Sequence, residues 1–226
     1  MIQIENLSKK FGQKTVLHNL NVTFEQEKTY GIVGANGAGK TTFFKCLAGL
    51  EKFDGRIVSN FDNLKNHLGL LLTEPFFFSK MTGKEYIILL ANARGVKITN
   101  LKDKNIFDLP LHQYTSTYST GMKKKLAITA ILLQENDVYI LDEPYNGVDI
   151  QSNLVFNEIV LKLKSLGKTL IISSHIFSTL ASTCDEIYLM KEGQFIKKAH
   201  QDGFNELESE MKRITIGSRV ELLDLK

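Results

Sequence analysis

Cysteine, proline, tryptophan and arginine are scarce in this sequence. Its 226 residues include two cysteines, three prolines, no tryptophan and only four arginines among 28 basic residues. Cys46 and Cys184 lie 138 positions apart without a C-x-x-C partner, so they cannot build a zinc site, and a reducing compartment is expected. Few arginines and a formal net charge of only +3 argue against nucleic-acid binding, so no nucleic-acid partner is expected.

Long hydrophobic runs are also missing. The longest apolar stretches, at residues 86–91 and 126–133, are far shorter than the roughly 20 residues that cross a bilayer. Because Met1 leads directly into the sequence IQIENL, neither a secretory signal nor a membrane span is expected. The ordinary content of hydrophobic (43%) and charged (23%) residues instead predicts a globular chain with a full hydrophobic core.

Short apolar segments alternate with segments of helical spacing along much of the chain. Short strands at residues 2–4, 15–17 and 20–24, separated by turns at KKFGQK and HN, predict a small antiparallel sheet. Further strands are expected at residues 30–33, 68–72, 138–141, 169–173, 186–190 and 194–197. Helices are expected at residues 40–49, 82–93, 119–134, 150–166 and 177–183. This alternation predicts an α/β fold with a mostly parallel sheet, interrupted by a helical insert at about residues 76–135.

The most specific motif is GANGAGKT at residues 34–41, which fits G-x-x-x-x-G-K-[ST] between a predicted strand and a predicted helix. Glycines let backbone N–H groups surround phosphates, and the helix N-terminus adds partial positive charge. The lysine of the motif can reach the β- and γ-phosphates, and the threonine after it can bind Mg²⁺. The candidate nucleotide-binding residues are Gly34, Asn36, Gly37, Ala38, Gly39, Lys40, Thr41 and Thr42.

Acids at the end of a second predicted strand complement this loop. In VYILDEP, Asp142 is expected to complete a magnesium site and Glu143 to polarise the water that attacks the γ-phosphate. Two acids at a strand end are otherwise often simply solvated. His175 ends another core strand, where a role facing the ligand is favoured over the purely structural role more common for a lone histidine.

A third motif, YSTGM, is followed by three lysines at residues 123–125. Ser119 and Gly121 could present a hydroxyl and N–H groups to an anion, although Ser-Thr-Gly is also an ordinary start of a helix. The lysines are expected to form a solvated helix face.

The order of these motifs resembles that of the nucleotide-binding subunits of ABC transporters over essentially residues 1–200. The resemblance implies a single ABC ATPase domain over residues 1–226, built on a P-loop NTPase core. Residues 1–75 and 136–200 would form the RecA-like core with an N-terminal antiparallel β subdomain, residues 76–135 a helical subdomain, and residues 201–226 a C-terminal tail.

The same resemblance implies roles for individual residues and names ATP and Mg²⁺ as the ligands. Phe11 would stack on adenine, and Thr41 and Asp142 would hold Mg²⁺. Glu143 would be the catalytic base and His175 the switch histidine. The residues that would contact ATP held by the other subunit are Ser119, Gly121 and Asp149.

Two segments depart from the common family pattern. The signature YSTGM replaces LSGGQ and resembles bacterial ABC-2-type exporters, including the bacitracin-resistance and lantibiotic-immunity subgroup. The Q-loop glutamine is absent from LTEP, and either Thr73 or Glu74 could occupy its position. The three phenylalanines at 76–78 either pack inside the helical subdomain or form an apolar patch that receives a membrane subunit.

The resemblance therefore implies the ATPase motor of a membrane exporter. Such a motor would act as a homodimer or pseudo-dimer of ATPase subunits, coupled to a transmembrane permease on a separate chain at the inner face of the plasma membrane. Two alternatives stay open: a soluble ABC ATPase without a permease, such as one serving Fe–S assembly, and a regulatory subunit that binds nucleotide but hydrolyses it poorly.

Overall fold

Two β-sheets organise the chain, whose computed structural model describes residues 1–216, with side chains through residue 214. Strands and helices are numbered in chain order. The smaller sheet is antiparallel, with β1 in its centre, and contains β1 (Ile2–Phe11), β2 (Lys14–Phe24) and β4 (Asp54–Ser59). The larger sheet contains β3 (Thr29–Val33), β5 (Leu68–Leu71), β6 (Val138–Asp142), β7 (Thr169–Ser174), β8 (Glu186–Lys191) and β9 (Gln194–His200).

The larger sheet has the strand order β5-β6-β7-β3-β8-β9, and every neighbouring pair is parallel except β8–β9. Its strands β3, β6 and β7 are buried along their whole length. Strands with such continuous apolar sequences are typical of parallel sheets covered on both faces. The predicted α/β fold with a mostly parallel sheet and a small antiparallel sheet is confirmed.

Helices pack on both faces of the larger sheet. One face is covered by α1 (Lys40–Leu47), whose Phe43 and Phe44 join the smaller sheet in one hydrophobic core. The other face is covered by α3 (Thr120–Leu132), α4 (Ile150–Ser165), α5 (Phe177–Ala181) and α6 (Phe204–Ile216). None of the helices described is both long and apolar enough to cross a bilayer.

The chain between β5 and β6 forms a helical lobe made of α3 and α2 (Gly83–Asn92). Thr82 starts α2 with a capping box, in which its hydroxyl and the Glu85 carboxylate each bind the other residue's backbone N–H. Between the two helices, residues 93–119 are mostly irregular, with one short 3₁₀ turn at Thr115–Thr117. The lobe is thus less helical than the sequence suggests, although it has its own apolar core around Ile87 and Leu126.

The predicted breaks in the N-terminal strands were wrong. KKF belongs to β1, and the turn contains only Gly12 and Gln13. The HN pair does not form a turn but a β-bulge within β2, where Asn19 has a φ of +49° and its N–H donates to the Ser8 hydroxyl at 2.9 Å. Asparagine adopts this left-handed conformation more readily than most residues, so a turn-like dipeptide also fits a bulge.

A second departure concerns the tail expected over residues 201–226. Its first part folds as a short 3₁₀ turn at Gln201–Gly203 followed by α6, whose Phe204 and Leu207 are buried in the core beside α5. Residues 217–226 of the predicted tail lie outside the described residues.

The hairpin turn between β8 and β9 makes hydrogen bonds both to β2 of the smaller sheet and to the glycine-rich loop before α1. Gly193 donates its N–H to the Ala38 carbonyl at 2.9 Å and accepts from His18 N–H at 3.0 Å. Its φ is +74°, and a Cβ atom at this position would lie 2.0 Å from the Val16 carbonyl oxygen. Only glycine fits this position without displacing the neighbouring backbone.

We expect Gly193→Ala to lower the free energy of unfolding by about 2–5 kcal/mol, because left-handed strain adds to a backbone clash. The matched control is Gly12→Ala, at the β1–β2 turn, where φ is +57° but a Cβ atom would meet nothing within 4 Å. This control should lose only about 1–2 kcal/mol. Urea unfolding curves of both variants measure the difference, and equal losses would contradict the role given to the close approach at Gly193.

Candidate active site

A cleft of about 630 Å³ opens between the glycine-rich loop before α1 and the loops that follow β5 and β6. It lies at the C-terminal ends of parallel strands, where α/β sheets usually bind ligands. Its polar lining combines backbone of the loop with the side chains of Lys40, Thr41, Thr73, Glu74 and Glu143. The remaining lining residues are Val16, Asn36, Gly37, Ala38, Gly39, Thr42, Lys45, Leu72 and Asn146.

The loop at residues 34–41 leads into a helix start that is open to an anion. Gly39, with φ +110°, turns the chain into α1, whose N-terminus has no side-chain cap and no acid in its first turn. The first N–H groups of α1 are therefore available to an anion. Lys40 is buried beside them, and its ammonium donates to the Gly34 carbonyl at 2.7 Å.

The carboxylate of Asp142 joins three parts of the site. Asp142 is fully buried, and its Oδ2 accepts hydrogen bonds from the hydroxyls of Thr41 at 2.6 Å and Thr73 at 2.8 Å. Its Oδ1 accepts from the Ser173 hydroxyl at 2.6 Å. A buried carboxylate is tolerated because these hydroxyls replace water. The sequence predicted Asp142 and Thr41 together, whereas Ser173 was not expected in the site.

Glu143 presents its carboxylate between Lys40 and His175. Its Oε2 accepts from Nδ1 of His175 at 2.8 Å, and its Oε1 lies 3.3 Å from Nζ of Lys40. The contact with Lys40 is a charge contact only, because Oε1 is buried and accepts no hydrogen bond from the described residues. Since ionised Glu143 can only accept, Nδ1 of His175 is assigned as the donor. The structure therefore brings Glu143, Lys40 and His175 together.

The two candidates for the Q-loop position are placed differently. Thr73 reaches Asp142 through its hydroxyl, whereas Glu74 lines the cleft and makes no side-chain hydrogen bond within the described chain. The three phenylalanines that follow differ in burial. Phe77 packs in the lobe, 4.5 Å from the Tyr86 ring, whereas Phe76 and Phe78 are 72% and 53% exposed.

Ser119 and Gly121 of the signature, and Asp149 farther along the chain, do not line this cleft. Ser119 caps α3 by accepting from Met122 N–H, and Asp149 caps α4 by accepting from Ser152 N–H. Asp149 also accepts from Lys125 at 2.8 Å, a hydrogen bond that holds the pKa of this carboxyl well below its usual range. Neither Ser119, Gly121 nor Asp149 lines the cleft of its own chain.

Phe11 is also not brought to the cleft. Its ring is 47% exposed at the tip of the β1–β2 hairpin, with the Lys9 ammonium 4.5 Å from its centre. Val16 of the same hairpin does line the cleft. An adenine ring seated against Val16 would therefore lie on the side of the cleft nearest the hairpin.

Lys124 is not part of a solvated face as predicted. Its side chain is only 2% exposed, and its ammonium donates to the carbonyls of Glu143 and Asn146, each at 2.7 Å. Burial lowers its pKa, while the nearby carboxylates of Glu143 and Asp142 oppose that effect. Helical spacing could have revealed this, because Lys124 lies three and four residues before the apolar Ala127 and Ile128.

The arrangement can bind a polyphosphate and activate water beside it. Lys40 and the N-terminus of α1 supply positive charge, Asp142 and Thr41 supply oxygen ligands, and Glu143 supplies a proton acceptor. Phosphoryl transfer requires mainly such positioning and charge stabilisation.

Known proteins with similar sequences and structures agree with this chemistry. Residues 17–146, more than half of the chain, match the family model described as ABC transporter. The lantibiotic transport ATP-binding protein SrtF of Streptococcus pyogenes is 35% identical over 92% of this chain and 94% of its own length. The bacitracin transport ATP-binding protein BcrA of Enterococcus faecalis is 33% identical over 88% of this chain and 69% of its own length.

The dimeric ATP-binding cassette MJ0796, solved with ADP and Pi in a post-hydrolysis state, has a similar structure. Its TM-score is 0.78 over 89% of this chain and 99% of the cassette, at 17% identity, which supports the fold. The chain belongs to the ABC transporter family and couples ATP hydrolysis to transport.

Proposed function

We propose that two ATPase subunits, each a copy of this chain or one of them a close relative, enclose two ATP molecules and hydrolyse them with Glu143 as general base. The observation that carries this proposal is the placement of the Glu143 carboxylate. One of its oxygens is held by His175, and the other lies beside Lys40 without a hydrogen-bond donor from the described residues.

This geometry suits activation of water at the γ-phosphate. Lys40 binds the β- and γ-phosphates in loops of this type, so Oε1 of Glu143, 3.3 Å from that ammonium, faces the γ-phosphate side of the cleft. A water between them would give its proton to Oε1 as its oxygen attacks phosphorus. The bond to the β–γ bridging oxygen breaks, and ADP leaves. His175 keeps the carboxylate oriented through Oε2.

The residues around Asp142 also fit Mg²⁺. The Thr41 hydroxyl and the Asp142 carboxylate present oxygens 2.6 Å apart, and oxygen ligands are those that Mg²⁺ prefers. We infer that these two residues hold the ion, directly or through water, with Thr73 orienting Asp142. The ion, when bound, neutralises charge that develops on the β- and γ-phosphates.

A second subunit would complete each site. Ser119, Gly121 and Asp149 lie outside their own chain's cleft, so a role in nucleotide binding requires them to act on ATP held by another subunit. Ser119 at the start of α3 offers a hydroxyl and a helix N-terminus to a γ-phosphate. Phe11 would stack on adenine after a rotation of its exposed ring toward the cleft.

The helical lobe offers a docking surface for a permease on a separate chain. A groove of about 310 Å³ between this lobe and the core is lined mainly by apolar side chains, together with Lys65, Arg94 and Gln134, and includes exposed Phe76 and Leu50. We infer that a helix of the membrane subunit binds there and holds this chain at the inner face of the plasma membrane. By analogy with SrtF and BcrA, we further propose a peptide antibiotic as the exported substrate.

Glu143→Gln should reduce ATP turnover by about 10²–10⁴-fold, the usual contribution of a positioned base, because the amide cannot accept the proton. ATP affinity should change little, and an ATP-bound dimer should accumulate, which steady-state hydrolysis and light scattering with ATP measure. The matched control is Glu135→Gln, an exposed glutamate with a similar positive φ of +57° outside the cleft. Wild-type turnover in Glu143→Gln would refute the assignment of the base.

Thr73→Val should raise the Mg²⁺ concentration needed for half-maximal ATP hydrolysis by about tenfold. Valine keeps the shape but removes the hydrogen bond that orients Asp142, and loss of such outer contacts typically weakens metal binding by about 10–100-fold. Glu74→Gln is the comparison, and Mg²⁺ titrations of both variants measure the effect. If Glu74→Gln shifts the requirement and Thr73→Val does not, Glu74 occupies the Q-loop position.

A tagged form of this chain, recovered from membranes in mild detergent, should retain a polytopic membrane protein in about a 1:1 ratio. Phe76→Asp should lose that protein without loss of ATP binding, because an acid is unfavourable in an apolar interface. Ile196→Asp, at a residue that is 43% exposed on β9, is the matched control. Recovery of the tagged chain only without a membrane protein would favour the permeaseless alternative, and equal losses in both variants would exclude the groove as the docking site.

A further inference from the structure

A buried lysine of α3 holds the backbone beside the candidate catalytic base. Lys124 donates to the carbonyl oxygens of Glu143 and Asn146, which lie at the two ends of a tight turn closed by Asn146 N–H on the Glu143 carbonyl at 3.2 Å. The ammonium has no direct carboxylate partner in the described chain. Burying such a charge is unfavourable unless hydrogen bonds replace its water, so the two carbonyl oxygens stabilise the ammonium here.

The backbone that Lys124 holds is itself unusual. Glu143 has a φ of +49°, a left-handed conformation that costs a residue with a side chain about 1–2 kcal/mol. Such strain persists where surrounding contacts fix it, and it is concentrated at functional sites. Because φ and ψ of Glu143 set the direction of its side chain, the hydrogen bond to its carbonyl bears directly on where the carboxylate points.

Helix α3 holds the rest of this segment as well. A Cβ atom at Gly121 would lie 3.0 Å from the Gly147 carbonyl oxygen, so the first turn of α3 packs tightly on the chain there. Farther along, Lys125 binds Asp149 at 2.8 Å. Residues 143–149 are therefore fastened to the first two turns of α3, from the candidate base to the cap of α4.

We propose that Lys124 is a positioning residue for ATP hydrolysis: it fixes the Glu143 backbone so that the carboxylate meets the attacking water. It does so from the helix that begins beside Ser119 and Gly121. Contact of that helix start with ATP on the partner subunit would then align the base in this subunit. This inference rests on the proposed role of Glu143 and on the proposed enclosure of ATP by two subunits.

The expected signature is a loss of turnover without a loss of nucleotide affinity. Lys124 does not line the cleft, and its ammonium touches neither the glycine-rich loop nor α1 among the described residues. Lys124→Met keeps the length of the side chain and removes its donors. We expect kcat to fall by about 10- to 100-fold, as for a misplaced reacting group, with the Kd for ATP within about twofold of wild type.

Two further variants separate positioning from general damage. Lys123→Met is the matched control, because the adjacent lysine makes no side-chain hydrogen bond in the described structure, and its kcat should stay at the wild-type value. Lys124→Gln offers two amide N–H donors on a slightly shorter side chain, so it should recover part of the lost kcat. If Lys124→Met does not fold, the test is the kcat of Lys124→Gln compared with that of Lys123→Met. A kcat of Lys124→Gln below that of Lys123→Met would support the proposal, and equal values would contradict it.

A double-mutant cycle shows whether Lys124 acts through Glu143. In a Glu143→Gln background, single-turnover hydrolysis should fall by less than about twofold on adding Lys124→Met, because the carboxylate to be positioned is already gone. Losses that multiply in the double variant would overturn the proposal, as would an unchanged kcat in Lys124→Met. Normal turnover in Glu143→Gln would refute the assignment of Glu143 as the base. That outcome is distinct from normal turnover in Lys124→Met alone, which would refute only the positioning role of Lys124.

Discussion

The geometry of the site depends on one buried carboxylate. Asp142 is inaccessible to water, so its charge must be stabilised by donors that the fold brings to it. Those donors are hydroxyls from three separate elements: Thr41 at the start of α1, Thr73 after β5, and Ser173 in β7. The strand order β5-β6-β7-β3 places Asp142 of β6 between two of these elements, and the third, α1, follows β3 on the other side of β7.

Glu143 follows Asp142 directly, but its carboxylate accepts fewer hydrogen bonds. Its backbone N–H is fixed by the Ser173 hydroxyl at 3.0 Å and its carbonyl by Lys124, while its side chain extends toward Lys40 and His175. One acid is thus saturated with hydrogen bonds, and the next retains an oxygen without a donor from the described residues. Two adjacent carboxylates acquire different capacities from their surroundings: Asp142 is suited to orientation of a cation, and Glu143 to acceptance of a proton.

Sequence patterns predicted the local parts of this site and missed those created by tertiary packing. The glycine-rich loop before α1 and the acids at the end of β6 are contiguous motifs, and their geometry depends on residues adjacent in sequence. Lys40, Thr41 and Glu143 could therefore be identified from the sequence. Ser173 reaches Asp142 only because β6 and β7 pair in parallel register, with Asp142 opposite Ser173. Lys124 resembled a surface residue because it stands among three lysines, and its burial depends on the turn after Glu143 that α3 covers. The bulge at Asn19 depends likewise on its pairing with Ser8 in β1.

The unusual signature does not weaken the case for hydrolysis. Tyr118, the first residue of the YSTGM segment, is buried in the helical lobe, and its hydroxyl donates to the Pro110 carbonyl at 2.8 Å. A Cβ atom at Gly83 would lie 2.5 Å from that hydroxyl, so the small residue that opens α2 makes room for the tyrosine. The substitution is therefore accommodated inside the lobe, and it leaves Ser119 at the start of α3. The strained Glu143 backbone and the buried Lys124 that binds its carbonyl favour a subunit that hydrolyses ATP over one that only binds it, because backbone strain is concentrated at functional sites.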